Sequence, residues 1–231
     1  MLEIACFNAS SAIAASKSGA DRIELCANYA SGGVTPTAET LLQVRNATSL
    51  PIHVMIRSRA GDFSYSDSEY ETMKKSITEF KSRSLANGFV FGIQNPDDKT
   101  VDVKRCTELA ELADPLPCVF HRAIDGTPDL DDAVEAVISC GFKSILTSGG
   151  MPDAVQGAAR VAELQARFGN RIAIILGGGI RSGNVGELVG KTGVPWVHSA
   201  AIVGGGEDVD VLEVERLGEI VRESTQNASK V

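Results

Sequence analysis

Short apolar runs alternate with longer amphipathic stretches along almost the whole chain. The runs lie at Leu2–Cys6, Arg22–Cys26, Ile52–Ile56, Phe89–Gly92, Pro117–His121, Lys143–Thr147, Ile172–Leu176 and Pro195–His198. Each has the length of a strand, and each leads into a segment with helical spacing of its apolar residues. Helices are predicted through Ser10–Ala15, Val101–Ala113, Ala154–Phe168, Asn184–Val189 and Val209–Glu223. Ser66-Asp67-Ser68-Glu69 reads as a capping box that opens a further helix. Thr35-Pro36 and Thr127-Pro128 read as threonine caps with proline at the first helical position, where its missing N–H costs nothing.

Eight strand–helix units predict a parallel sheet, and closure of that sheet gives an α/β fold of the TIM (β/α)8 barrel type. The expected domain is a single barrel over residues 1–223, followed by a polar, frayed tail over 224–231. An open doubly wound sheet is the rival. Its phosphate fingerprint after the first strand is missing, because that strand runs into Phe7-Asn8-Ala9-Ser10-Ser11.

The chain has 231 residues and a formal net charge of -8, which disfavours a broad nucleic-acid or anionic-membrane surface. No apolar run approaches a membrane span. Cys6, Cys26, Cys106, Cys118 and Cys140 form no CxxC pair, so free thiols in a reducing cytoplasm are expected.

Nearly every strand ends in residues that can do chemistry, and a closed barrel gathers those ends at one mouth. Glu3, Glu24, Arg57, His121, Arg122 and Asp125 form the first candidate set. Together they suit acid–base work with His121 as proton carrier, or else an ion-pair network that plugs the barrel. Gly149, Gly150, Gly178, Gly179 and Ser199 form the second set. Backbone amides free of side chains at neighbouring strand ends suit a bound anion, or simply allow tight turns. Cys6 and Cys26 form the third set, at the ends of strands about 5 Å apart. Two thiolates at that separation suit Cu(I), although buried cysteine is also a common small hydrophobe. Side-chain alternation adds a constraint, for if Glu3 faces the lumen then Cys6 faces outward. A lone histidine such as His53 or His198 reads first as a hydrogen-bonded core residue.

The motifs together resemble the CutC family of copper homeostasis proteins. The resemblance rests on Leu2-Glu3-Ile4-Ala5-Cys6, on Gly19-Ala20-Asp21-Arg22-Ile23-Glu24-Leu25-Cys26 and on Gly32-Gly33-Val34-Thr35-Pro36. It continues through the stretch Met55–Ser66, Phe120-His121-Arg122-Ala123-Ile124-Asp125, Ile145–Gly150, Gly177–Ile180 and Val197-His198-Ser199-Ala200. It implies a cytoplasmic TIM barrel with a role in copper tolerance, and Cu(I) at Cys6 and Cys26. The expected partners are a copper ion and a small anionic ligand, without nucleic acid or membrane, and self-association into a homo-oligomer stays open. The chain departs from the family pattern at Ser58 and Ala60, which replace a proline and a glycine. It also lacks a longer insertion after the last strand, where Ala200–Gly206 leads almost directly into the final helix. The alternative function is an enzyme acting on a small phosphorylated or carboxylated metabolite. There Arg57 and Arg122 would clamp the anion and Glu24 or His121 would move protons.

Overall fold

The computed structural model describes residues 1–228. Eight parallel strands close into a barrel in sequence order: β1 (Leu2–Cys6), β2 (Arg22–Leu25), β3 (Ile52–Met55), β4 (Gly88–Phe91), β5 (Cys118–Phe120), β6 (Ser144–Thr147), β7 (Ala173–Leu176) and β8 (Trp196–Ser199). The helices that follow them are α1 (Ala9–Lys17), α2 (Ala38–Ala47), α3 (Asp67–Ser82), α4 (Val103–Ala113), α5 (Leu130–Ser139), α6 (Ala154–Phe168), α7 (Val185–Thr192) and α8 (Val211–Ala228). A short 3-10 turn, Arg122–Gly126, follows β5. The expected tail at 224–231 overlaps the end of α8, and its last residues, 229–231, lie outside the described ones. No described helix is long and apolar enough to cross a membrane.

Alternation along each strand builds two cores. The larger lies between barrel and helices and holds Leu2, Ile4, Cys6, Ile23 and Leu25 among many others. The smaller fills the lumen with Cys26, Met55, Val90, Val119, Leu146 and Ile175, with Phe7 and Trp196 packed against it. Register aligns the polar lumen positions: Glu3 sits beside both Arg22 and His198, Glu24 beside His53, and His53 beside Gly88.

The capping box forms as expected, with Ser66 and Glu69 each bonding the other's backbone N–H. The two Thr-Pro signals are displaced. Helix α2 is capped by Thr37 and α5 by Asp129, each two residues beyond the expected cap. Thr35 instead bridges to the segment just after β3, where its Oγ1 accepts from the Arg57 N–H at 2.8 Å and donates to the Arg57 carbonyl at 3.1 Å. Thr127 closes the 3-10 turn, and its hydroxyl donates to the Ile124 carbonyl at 2.7 Å.

Candidate functional site

A cavity of about 160 Å³ opens at the C-terminal end of the barrel. Glu24, Cys26, Met55, Arg57, His121 and His198 line it. Its apolar wall comes from Ala5, Phe7, Phe63 and Leu146, and Arg122 stands at its edge. Of the first candidate set, then, the strand ends bring Glu24, Arg57, His121 and Arg122 together. Glu3 lies deeper in the lumen and is not part of the lining.

Glu3 anchors the floor. It is fully buried and accepts from Arg22 Nε at 2.6 Å and from His198 Nδ1 at 2.8 Å. Burial works against its charge, but Arg22 and then His198 outweigh it and hold the carboxyl at about 2. The remaining polar ring atom of His198, on a ring that lines the cavity, is therefore Nε2. Burial lowers the His198 pKa, yet the carboxylates of Glu24 and Glu3 more than offset it and the net shift is upward. Burial raises Glu24, and the pull of His198 does not cancel that rise. Its Oε1 accepts from the Cys26 thiol at 3.4 Å, while Oε2 is buried without a hydrogen bond.

His121 follows β5 and meets the Phe63 ring at a centroid distance of 4.7 Å. Its place depends on Gly92, where a Cβ would stand 2.8 Å from the imidazole Nδ1. Burial and then the Arg57 cation push His121 down to about 3, so the ring is neutral near pH 7. Nδ1 accepts the Ala123 N–H at 3.3 Å, which puts the proton on Nε2, and Nε2 has no partner. Arg57 is only 6% exposed. Nη1 donates to the carbonyls of Ser31 and Gly33 and Nη2 to that of Gly61, while Nε is unpartnered.

The two strand-end cysteines part company. Cys26 faces the cavity, whereas Cys6 packs in the barrel–helix layer with its thiol 3.7 Å from the Ile4 carbonyl. This is the alternation that a lumen-facing Glu3 requires. Burial pushes both thiols upward, with Glu24 adding to the shift. Cys106, Cys118 and Cys140 are also buried and free.

One of the Gly-rich strand ends, the one after β6, already holds a protein carboxylate. Asp125 accepts from Ser148 N at 3.1 Å, Gly150 N at 3.0 Å, Thr147 Oγ1 at 2.5 Å and Arg122 Nε at 2.9 Å. Gly149 N donates to Thr147 Oγ1 at 2.8 Å. The loop expected to cradle an external anion at Gly149 and Gly150 thus holds an internal one, and Arg122 and Asp125 serve as its clasp. Gly178 lies beside Arg122, with space for a Cβ only 3.3 Å from the guanidinium carbon, and Gly179 lies near Asp153. Ser199 turns away to donate to the Ile180 carbonyl at 2.7 Å and to accept Ala201 N at 3.0 Å. Sequence reasoning did not single out Met55 or Phe63 as site residues, and it read His198 as a core residue. Only the register with Glu3 shows what His198 does on the lumen side.

Known proteins resemble this chain in sequence and in fold. The sequence model of the CutC family matches residues 1–203. A family protein CutC of Mesorhizobium japonicum is 40% identical over 202 residues, covering 87% of this chain and 78% of the relative. The human copper homeostasis protein cutC homolog is 37% identical over 201 residues, covering 87% of this chain and 73% of the relative. A crystal structure of CutC from Streptococcus agalactiae superposes with a TM-score of 0.80 at 28% identity, covering 87% of this chain and 98% of that one. The fold, the strand-end motifs and the extent of these matches together place the chain in the CutC family.

Proposed function

We propose that this protein works in copper homeostasis in the cytoplasm and takes Cu(I) as cargo at the barrel mouth. The observation that carries this reading is the pairing of two soft sulfur donors, the Cys26 thiol and the Met55 thioether, on the same cavity wall. Thiolate and thioether ligands select Cu(I), and a two-coordinate site suits that ion. Zn²⁺ prefers three or four protein ligands, so its binding should be weak. The copper relatives at 37% identity support the assignment of the ion. Cys6 would have to leave the outer core to reach this cavity, so the proposed ligands are Cys26 and Met55.

Titration of Cu(I) against a competing chelator tests the reading. Cys26→Ser should weaken binding by about tenfold or more, the loss of one soft ligand. Cys6→Ser should leave the affinity unchanged, and Met55→Leu should weaken binding while preserving the packing volume. Equal affinity in the wild type and Cys26→Ser would remove the mouth from consideration, and a loss confined to Cys6→Ser would move the site to the outer layer.

A further inference from the structure

Cys26 lines the mouth cavity, yet it is only 1% exposed. The loop after β2 rests on its thiol: a Cβ at Gly33 would stand 3.4 Å from Cys26 Sγ and 3.4 Å from the Phe7 ring. The 3-10 turn at the tip of this loop, Tyr29–Ser31, contains no buried residue. The base of the loop is firm, because Ala27 and Val34 exchange backbone hydrogen bonds of 2.9 Å. Next to it, the loop after β3 folds round Arg59, whose guanidinium donates to the carbonyls of Ala60, Asp62 and Ser64. That loop supplies the cavity wall at Phe63, whose ring centroid lies 4.9 Å from the Arg57 guanidinium carbon. Arg57 joins the two loops. Its Nη1 donates to the Ser31 and Gly33 carbonyls at 2.9 and 3.0 Å, and its Nη2 donates to the Gly61 carbonyl at 2.6 Å.

We propose that these two loops, residues 28–33 and 58–64, form one lid over Cys26, with Arg57 as its buckle, and that the lid opens as a unit while the barrel stays folded. Local opening belongs to segments with few buried apolar contacts. The β2 loop tip has none that is buried, and Ala60, Gly61 and Asp62 at the tip of the β3 loop are exposed. When the lid lifts, the Arg57 guanidinium and the three carbonyls exchange their mutual hydrogen bonds for bonds to water, so the net cost is modest. The hinges stay in place, because the Ala27–Val34 pair and the Thr35–Arg57 backbone bonds lie at the loop bases. Arg59 keeps the β3 tip compact, so that it moves as one piece. The lid deepens the copper reading and rests on it for its purpose: it admits Cu(I) to the sulfur and then shuts out water and competing thiols. Its opening is a property of the loops alone and can be read without metal.

The test alkylates the metal-free full chain with iodoacetamide in the presence of a copper chelator and follows each cysteine by peptide mass spectrometry. Cys6 and Cys106 are internal controls, since both are fully buried in the outer core and react only when the barrel itself opens. Wild-type Cys26 should react at least about tenfold faster than either control, as local opening is easier than global unfolding. Low urea should speed the controls and leave Cys26 almost unchanged, because lifting two loops exposes little surface. Arg57→Met removes the buckle and should speed Cys26 by a further tenfold or so. Arg57→Met could also weaken the whole fold, which the controls would report, so a milder variant decides the matter. Arg59 does not line the cavity. Arg59→Met therefore loosens the β3 tip without opening the cavity wall, and it should speed Cys26, which lies under the β2 loop, because the two loops move together. Cys26 reacting at the rate of Cys6 and Cys106 in the wild type overturns the proposal. So does a folded Arg59→Met variant in which Cys26 keeps its wild-type rate. Failure of the copper reading would appear elsewhere, in the chelator titration, and would leave these rates as they are.

Discussion

Replacing Arg22 with methionine should destabilise the protein by about 3–5 kcal/mol at pH 7, the usual cost of stranding one member of a buried ion pair. For a domain of this size that lowers Tm by roughly 6–20 °C. Methionine keeps most of the arginine stem, so the effect isolates the charge. Glu3 is fully buried and Arg22 side-chain exposure is only 9%, so water cannot take over the lost partner. The Arg22 guanidinium also lies 3.9 Å from the Trp196 ring centroid, and losing that contact removes about another 1 kcal/mol. The double variant Glu3→Gln/Arg22→Met should recover part of the loss, because the stranded charge is then gone.

Acid titration gives this prediction a signature of its own. In the wild type the folded Glu3 sits at about 2, below its ordinary value of 4.5. A depressed carboxylate contributes stability that is present above the unfolded pKa and is lost as pH falls through the folded one. The wild type therefore loses this contribution between about pH 4.5 and pH 2. Without Arg22, burial should raise Glu3 instead, and protonation should relieve the stranded charge as pH drops below neutrality. The gap between variant and wild type should thus narrow on acidification. Denaturant unfolding at neutral and mildly acidic pH measures it. A variant as stable as wild type at pH 7, or a gap that stays constant with pH, would show that Glu3 does not depend on Arg22.

The barrel was legible because its signals are local. Apolar runs, helical periodicity and the Ser66–Glu69 box each occupy a few consecutive residues, and all survive in the structure. Alternation along β1 likewise turned Cys6 outward once Glu3 was placed inside. The features that escaped depend on residues far apart in sequence. Thr35 and Pro36 have the form of a helix start, but the hydroxyl of Thr35 serves Arg57, 22 residues away. Glycines at 149 and 150 suit an external anion on local grounds, and nothing local shows that Asp125 reaches across to fill the loop. His198 looked like any core histidine until the β1–β8 register set it against Glu3. Resemblance supplied the family, yet it could not decide which of the strand-end sulfurs face the cavity.

Gly157 was not recognisable in the sequence at all, and Gly157→Ala should be among the most damaging single-atom additions to this chain. It lies inside α6, where alanine would ordinarily stabilise a helix by about 1 kcal/mol. Here the sign reverses. A Cβ at Gly157 would stand 1.7 Å from the Ser148 carbonyl oxygen, and the atom in the way is backbone, not a movable side-chain tip. Either α6 withdraws from the barrel or the Ser148–Gly149 loop shifts. Overpacking of this kind typically costs about 1–3 kcal/mol, and a rigid backbone contact belongs at the upper end. Subtracting the helix gain leaves a net loss of about 2 kcal/mol, or roughly 4–8 °C in Tm. A loop shift would also move Ser148 N and Gly150 N away from the Asp125 carboxylate, which they now hold at 3.1 and 3.0 Å. Amide hydrogen exchange should then accelerate at Ser148 and Gly150 while the β1–β2 pairing stays protected. Unchanged or raised Tm in Gly157→Ala would mean that the close approach of α6 to the end of β6 is not enforced, and faster exchange throughout the barrel would assign the damage to global unfolding, not to the loop.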